Sequence, residues 1–220
     1  MFFLTLIFLL STKIALLILL IGILVFSLKR QLFNLNKKTI IICIVTVFIG
    51  ISMSSITLYN RFKVEQKTEF SEIFHKEKFG KVYYWTGSSI RLFQLRILKE
   101  QITEESIFFK GFGLFASKKS LEEKHKYYDT YYTFHKYNYH NQYAQILSET
   151  GIIGLSILLI MLFILIRRAI KSKDYGFIMF SFTVITIFFT ESVLWRQRGL
   201  FLFIILYCLY QRVLFIKQPK

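Results

Sequence analysis

Proline is almost missing from this chain: among 220 residues there is one, Pro219. Cysteine is nearly as scarce. Cys43 and Cys208 both fall inside apolar runs and the polar middle of the chain has none, so no disulfide framework is indicated. Internal repeats, Gly/Ser linkers and low-complexity tracts are absent, and nothing divides the sequence into repeated or tethered modules. Acidic residues are few, 13 against 29 Lys and Arg, and no Asp-x-Asp pair occurs. A Gly-rich phosphate loop closed by Lys-Ser or Lys-Thr and a Ser nucleophile elbow are also missing. Any chemistry must therefore draw its energy from a substrate that arrives already activated. His125, His135 and His140 stand at intervals that match no standard ligand spacing, and neither a metal nor another cofactor is expected.

What is abundant is apolar surface. Hydrophobic residues make up 54% of the chain and the mean hydropathy is +0.47, which points to a multi-pass membrane protein rather than a soluble domain. Five runs, 14–28, 39–58, 151–166, 175–190 and 199–215, each approach the roughly 20 residues that a spanning helix needs. Residues 1–12 are apolar but too short to span, and read as a half-helix leading to Lys13. The start is not a secretory signal: no positive charge precedes the apolar run, Lys13 interrupts it and no small-residue cleavage site follows. The expected fold is all-α, in three parts. A membrane segment 1–59 holds the half-helix and two spans, 60–149 is a large external loop with amphipathic helices, and 150–220 is a membrane segment of three spans.

A formal net charge of +16 raises nucleic acid as a partner, but the basic residues are spread over membrane loops without a recognition motif or a soluble basic domain, and nucleic acid is excluded. Lys29, Arg30, Lys37 and Lys38 share one short loop, Arg167, Arg168, Lys171 and Lys173 another, and Arg212, Lys217 and Lys220 close the chain. The positive-inside rule assigns all three to the cytoplasm. The segment 60–149 and the turn 191–198 then lie on the periplasmic side of the cytoplasmic membrane. In the loop, residues 68–79 put Phe70, Ile73, Phe74 and Phe79 near helical spacing, which predicts a short amphipathic helix on the bilayer surface. Residues 88–102 read as a second helix with a Ser cap. "FKGFGLFAS" is a Gly-containing turn, and "HKYYDTYYTFHKYNYH" is a tyrosine-rich stretch suited to headgroup level. The loop is expected to hug the membrane.

On a wheel at about 100° per residue, Arg91 falls among Leu95, Leu98 and Ile102, while Arg96, Lys99 and Glu100 gather on the other side. A cation on an apolar stripe is either a snorkelling arginine in the first helical turn or an anion ligand, because guanidinium matches two phosphate oxygens at once and stays charged. His140 precedes the third span. A helix continued back from that span carries it with Tyr143, Ala144 and Leu147, and turns Glu149 the other way. A neutral imidazole accepts a proton from a hydroxyl; the bland alternative is an interfacial His among tyrosines. In "TESVLWRQRGL", Glu191, Arg196 and Arg198 meet the outer ends of two spans, where a charge near mid-bilayer costs about 2.5–3.5 kcal/mol. Continued helix geometry puts Glu191 and Arg198 on one face, which favours a lined cavity over interfacial anchoring with Trp195 in the aromatic belt. Lys13, also on the external side, adds a cation.

The stretches "SSIRLFQLRILKEQ", "FKGFGLFAS" and "YNYHNQYAQILSETGIIG" together resemble the C-terminal half of the O-antigen ligase and polymerase family. "ESVLWRQRGLFLFIILY" resembles the segment leading into the last helices of such proteins. The resemblance implies a multi-pass glycosyltransferase that moves a glycan from a polyprenyl pyrophosphate carrier to a sugar hydroxyl, on lipid A core in ligases or on a growing chain in polymerases, without a metal. It implies that Arg91 meets the pyrophosphate and that His140 activates or positions the acceptor hydroxyl. Asn141, Gly111, Gly113, Glu191, Arg196, Arg198 and Lys13 are then further substrate contacts. Lys13 stands where family members usually carry an arginine after a serine, so a point charge replaces a two-pronged ligand. Members also have more spans than the runs counted here, so the resemblance leaves open a fragment, a truncated reading frame or one half of a split protein whose partners would be the bilayer and a missing N-terminal half. The alternatives are a catalytically silent membrane protein that binds lipid-linked glycan or a partner, and transfer onto protein hydroxyls. Convergence of Arg91, His140 and Arg198 on one cavity separates the enzyme from the silent binder.

Overall fold

The computed structural model describes residues 70–80 and 85–216, with side chains through Arg212, and Gly22, Val45, Tyr59 and Lys63 singly. The spans expected at 14–28 and 39–58, the half-helix, Cys43 and Lys13 lie outside the described residues. Among those residues the structure is all-helical, with no strand. In chain order come α1 (Phe70–His75), α2 (Gly87–Glu104), α3 (Ser117–Tyr127), a 3-10 turn (Tyr132–Lys136), α4 (Gln142–Ser172), α5 (Tyr175–Phe188) and α6 (Gln197–Ile216).

Helix α2 opens on Thr86, whose hydroxyl accepts the Ser89 amide at 3.4 Å, so a threonine supplies the capping oxygen in place of the expected serine. Its buried face, Ile90, Phe93, Ile97 and Leu98, packs with Ile73, Phe79, Leu121, Tyr128 and Tyr139 into one core. Aromatic edges meet faces there: Trp85 and Phe79 both lie T-shaped to Phe93, at 4.5 and 5.2 Å, and Tyr128 does so at 5.3 Å. This corrects the picture of a loop spread along a bilayer. Ile73 is fully buried and Phe79 nearly so, because the apolar face of α1 finds protein to pack on; Phe70 and Phe74 stay exposed.

The opposite face of α2 is held by charge. The Arg96 guanidinium donates to the carbonyls of Ile73 and Lys76, each at 2.9 Å, closing the end of α1. It also pairs with Glu100 at 3.1 Å, and Glu100 in turn accepts from the Tyr128 hydroxyl at 2.6 Å and pairs with Lys124 at 3.5 Å. Burial, reinforced by Glu100 and opposed by Arg96, pushes the Tyr128 hydroxyl up to about 12. One network thus joins α1, α2 and α3.

A backbone junction ties this unit to α4. Helix α4 breaks at Gly151 (φ 66°, ψ −164°), which leaves carbonyls of the preceding turn without helical donors. The turn after α2 supplies them: Phe112 N donates to Ser148 O and Gly113 N to Glu149 O, both at 2.8 Å, while Ile152 N donates to Phe108 O at 2.7 Å. The two strands of backbone approach so closely that a Cβ at Gly151 would collide with Phe109, and one at Gly111 (φ 66°) with Glu149. Only glycine fits either position.

Beyond the kink, Leu158, Leu162, Leu165 and Ala169 of α4 pack against Phe177, Val184 and Phe188 of α5 and Phe203 of α6. Helix α4 is long and apolar enough to cross a membrane; α5, at 14 residues, is shorter. The outward faces of α4 and α6 are also apolar, with Ile157 and Phe163 on one and Phe201 and Ile205 on the other exposed.

Candidate functional site

Helix α5 ends at Phe188, and the chain crosses to α6 through residues 189–196. This correction matters for Glu191 and Arg198: the helix on which they were expected to share a face does not continue between them. The crossing is held from below by α4. Leu194 N donates to Gln142 Oε1 at 2.6 Å. Trp195 Nε1 donates to Glu149 Oε1 at 3.1 Å, and that buried carboxylate also accepts from Ser117 Oγ at 3.1 Å and Gln145 Nε2 at 2.7 Å.

Asn141 caps α4. Its Oδ1 accepts the Ala144 amide at 3.0 Å and its Nδ2 donates to Phe189 O at 3.1 Å, so it grips the crossing as well. His140 is therefore outside the helix that was expected to carry it. It adopts φ 46°, a left-handed conformation that histidine visits more than most residues but that still costs about 1–3 kcal/mol where the surroundings enforce it. Here the Asn138 side chain accepts the His140 amide at 3.0 Å, and the Tyr137 ring stands T-shaped to the imidazole at 5.0 Å.

The outcome is that Arg91 and His140 meet on one carboxylate. Arg91 Nη2 pairs with Glu191 Oε1 at 3.1 Å and His140 Nδ1 with Glu191 Oε2 at 3.3 Å. Arg91 Nε also donates to Thr190 O at 3.0 Å and Nη1 to Gly87 O at 2.8 Å. These bonds leave two of the five guanidinium N–H donors unused. Burial alone would raise the Glu191 carboxyl, but the hydrogen bond and charge of His140, with the charges of Arg91 and Arg196, hold it below the ordinary carboxylate range. The carboxylate favours a proton on Nδ1, and in the neutral imidazole that tautomer leaves the lone pair on Nε2. The site is part-open: the Arg91, His140 and Glu191 side chains are 31%, 20% and 40% exposed.

The other candidates spread out from this pair. Arg196 and Arg198 are exposed near the start of α6. The charge of Arg196 reaches Glu191, whereas the Arg198 side chain has no hydrogen bond or ion pair among the described residues, so of the three residues expected to converge only Arg91 and His140 meet. Gly111 sits in the backbone junction with α4, and Gly113 (φ 99°) has open space around its Cα. His125 and His135 lie in the α3 unit and both bond to Thr130, at 2.9 and 3.0 Å.

An apolar groove of about 610 Å³ opens beside the charged group. Its wall includes Leu95, one turn after Arg91, Asn141, next to His140, and Phe189, two residues before Glu191; it then runs along Leu155, Leu159 and Phe163 of α4.

A family model described as O-antigen ligase (Wzy_C) matches residues 1–159, nearly three quarters of the chain. The chain belongs to the O-antigen ligase family. That family acts in polysaccharide biosynthesis and is typically found in the inner membrane. No curated protein and no solved structure matches the chain. The family match takes in Arg91 and His140 but stops short of Glu191, the group on which they meet. The sequence placed Glu191 among substrate contacts, and helix geometry turned Glu149 away from His140, so no orienting carboxylate was expected for the imidazole. Glu149 is turned to Ser117 and Trp195. Nothing local marks the pairing, since His140 and Glu191 are 51 residues apart. For Glu149 and Gln142 the one available signal was a polar side chain at the threshold of an apolar run.

Proposed function

We propose that this protein is a multi-pass membrane glycosyltransferase of the O-antigen ligase and polymerase type, which transfers a glycan from a polyprenyl pyrophosphate carrier to a sugar hydroxyl on the periplasmic side of the cytoplasmic membrane. The observation that carries the reading is the meeting of Arg91 and His140 on Glu191, at 3.1 and 3.3 Å, from separate parts of the chain. The apolar groove beside them is of the kind that takes a polyprenyl tail, and the apolar outer faces of α4 and α6 suit lipid.

In this mechanism the donor's pyrophosphate lies at Arg91, whose unused N–H donors face charge that grows as the bond from the sugar C1 to the phosphate oxygen breaks. The acceptor hydroxyl oxygen forms the new bond to C1 and its proton passes to His140 Nε2. Polyprenyl pyrophosphate leaves. Glu191 keeps Nε2 as the accepting nitrogen and balances the imidazolium that forms, the role a buried carboxylate plays toward histidine in hydrolytic triads. Arg196 and Arg198 are further contacts for phosphate or sugar.

In a strain lacking the native protein, His140→Ala and Arg91→Ala should each abolish surface glycan attachment, while Glu191→Gln should lower transfer about a hundredfold. Normal surface glycan with both alanine variants present in the membrane would remove the assignment.

A further inference from the structure

Tyr131, Phe134, Tyr137 and His140 recur at every third residue. In an α-helix such a series drifts around the axis. In a 3-10 helix, with three residues per turn, side chains at i and i+3 eclipse one another. The segment Tyr132–Lys136 is such a helix, with Tyr131 and Tyr137 as its two caps. The rings accordingly form one row: Tyr131 to Phe134 at 5.8 Å, Phe134 to Tyr137 at 5.5 Å and Tyr137 to the His140 imidazole at 5.0 Å, each pair T-shaped. Tyr132 widens the outer end, 4.6 Å from Tyr131. Phe134 is the anchor, part-buried on Trp85 at 5.9 Å. Tyr131, Tyr132 and Tyr137 remain 38%, 66% and 36% exposed.

We infer that this row is the acceptor subsite, a platform on which the terminal pyranose residues of the acceptor glycan lie and along which the reacting hydroxyl is delivered to His140. The inference rests on the glycosyltransferase reading above. A pyranose ring presents a face of C–H groups whose partial positive charge suits the negative face of an aromatic ring, and its hydroxyls point outward to the phenol groups and to water. Tyrosine supplies such a surface at small entropic cost, having few side-chain torsions to fix. Continuity selects the glycan as occupant: the row does not end in an open apolar patch but runs into the imidazole whose Nδ1 is held by Glu191. The groove proposed for the apolar tail starts beside the site, at Asn141 and Phe189, and runs along α4 without any ring of the row in its wall, so donor and acceptor approach by different paths.

The test uses the full protein in membranes of a strain lacking it, with that strain's own lipid-linked glycan as donor and its purified envelope glycan as acceptor. Tyr131→Leu and Tyr137→Leu keep apolar bulk but remove the ring. Each should raise KM for the added glycan about tenfold, with the smaller change in kcat, and Tyr→Phe at either position should rescue most of the loss. Immunoblots of the membrane fraction give the amount of protein. Unchanged KM in both leucine variants would overturn the platform, as would a loss that only tracks a fall in membrane-inserted protein, the outcome for a headgroup anchor. If His140→Ala abolishes transfer while the leucine variants behave as wild type, the platform fails and the glycosyltransferase reading survives. Transfer that persists in His140→Ala removes both.

Discussion

The unit built on α1–α3 and the helices α4–α6 hold their apolar side chains differently. In the first, Ile73, Phe93 and Ile97 are fully buried, and the charges around them are paired, Arg96 with Glu100 and Lys124 with Glu104. In the second, Leu165, Phe177 and Phe188 are buried while Ile157, Phe163 and Ile205 are more than half exposed. In the first, the exposed apolar side chains gather at α1 and in the turn between α2 and α3, with Phe109, Leu114 and Phe115 above 60% exposed, whereas in the second they run along the outward faces of α4 and α6. The candidate site lies where the two meet: Arg91 comes from the first, Glu191 from the second, and His140 from the joint between them. A charged, part-open group next to an apolar groove draws on both.

The comparison is sharpest at the junction, where the largest effect is expected. Gly151→Ala adds a Cβ against the Phe109 backbone at φ 66° and should cost about 4 kcal/mol or more, read as loss of folded protein after detergent extraction. Next come truncations on the two sides. Phe93→Ala should cost about 3–5 kcal/mol in thermal unfolding in micelles, whereas Ile157→Ala, on an outward face, should stay within about 0.5 kcal/mol; equal losses would break the distinction.

The third effect is confined to the α1–α3 unit and depends on pH. Burial, with the charge of His135 adding to it, pushes the His125 imidazole down from 6.5 to about 3. As pH falls the unfolded chain takes up this proton before the folded one does. The stabilising effect is therefore complete above about 6.5 and is lost progressively down to about 3, amounting to about 2 kcal/mol between pH 6.5 and 5. Unfolding curves across this window should show the slope, and His125→Leu should flatten it. Smaller again is the loss in Trp195→Phe, which takes one of three donors from Glu149 and should cost about 1 kcal/mol of stability, seen in the same unfolding assay.

Much of this molecule was legible residue by residue. The apolar stripe of α2, the polar face carrying Arg96 and Glu100, the apolar run of α4 beyond Gly151 and the oddity of Arg91 all follow from side-chain pattern within a few turns. Three features were not. His140 was read onto a helix because nothing in "YNYHNQY" announces that Asn141 rather than an earlier residue takes the cap. The expected surface helix at 68–79 is instead packed on α2 and α3, since an apolar face does not say whether protein or lipid will cover it. The kink at Gly151 was invisible because glycine also occurs in unbroken apolar helices; here the turn holding Gly111 provides hydrogen-bond donors for the broken end.

By itself the sequence determined where α2, α5 and α6 run and which side chains are out of place on them, because helix propensity, capping and amphipathic spacing act between residues a few positions apart; α3 and the first turns of α4 carry no such pattern of their own. Only the tertiary structure decided that Glu191 joins Arg91 to His140, across separations of 100 and 51 residues. That contact depends on how α4 bends, where α5 ends and how closely two backbones can cross, and none of those is a property of any short stretch.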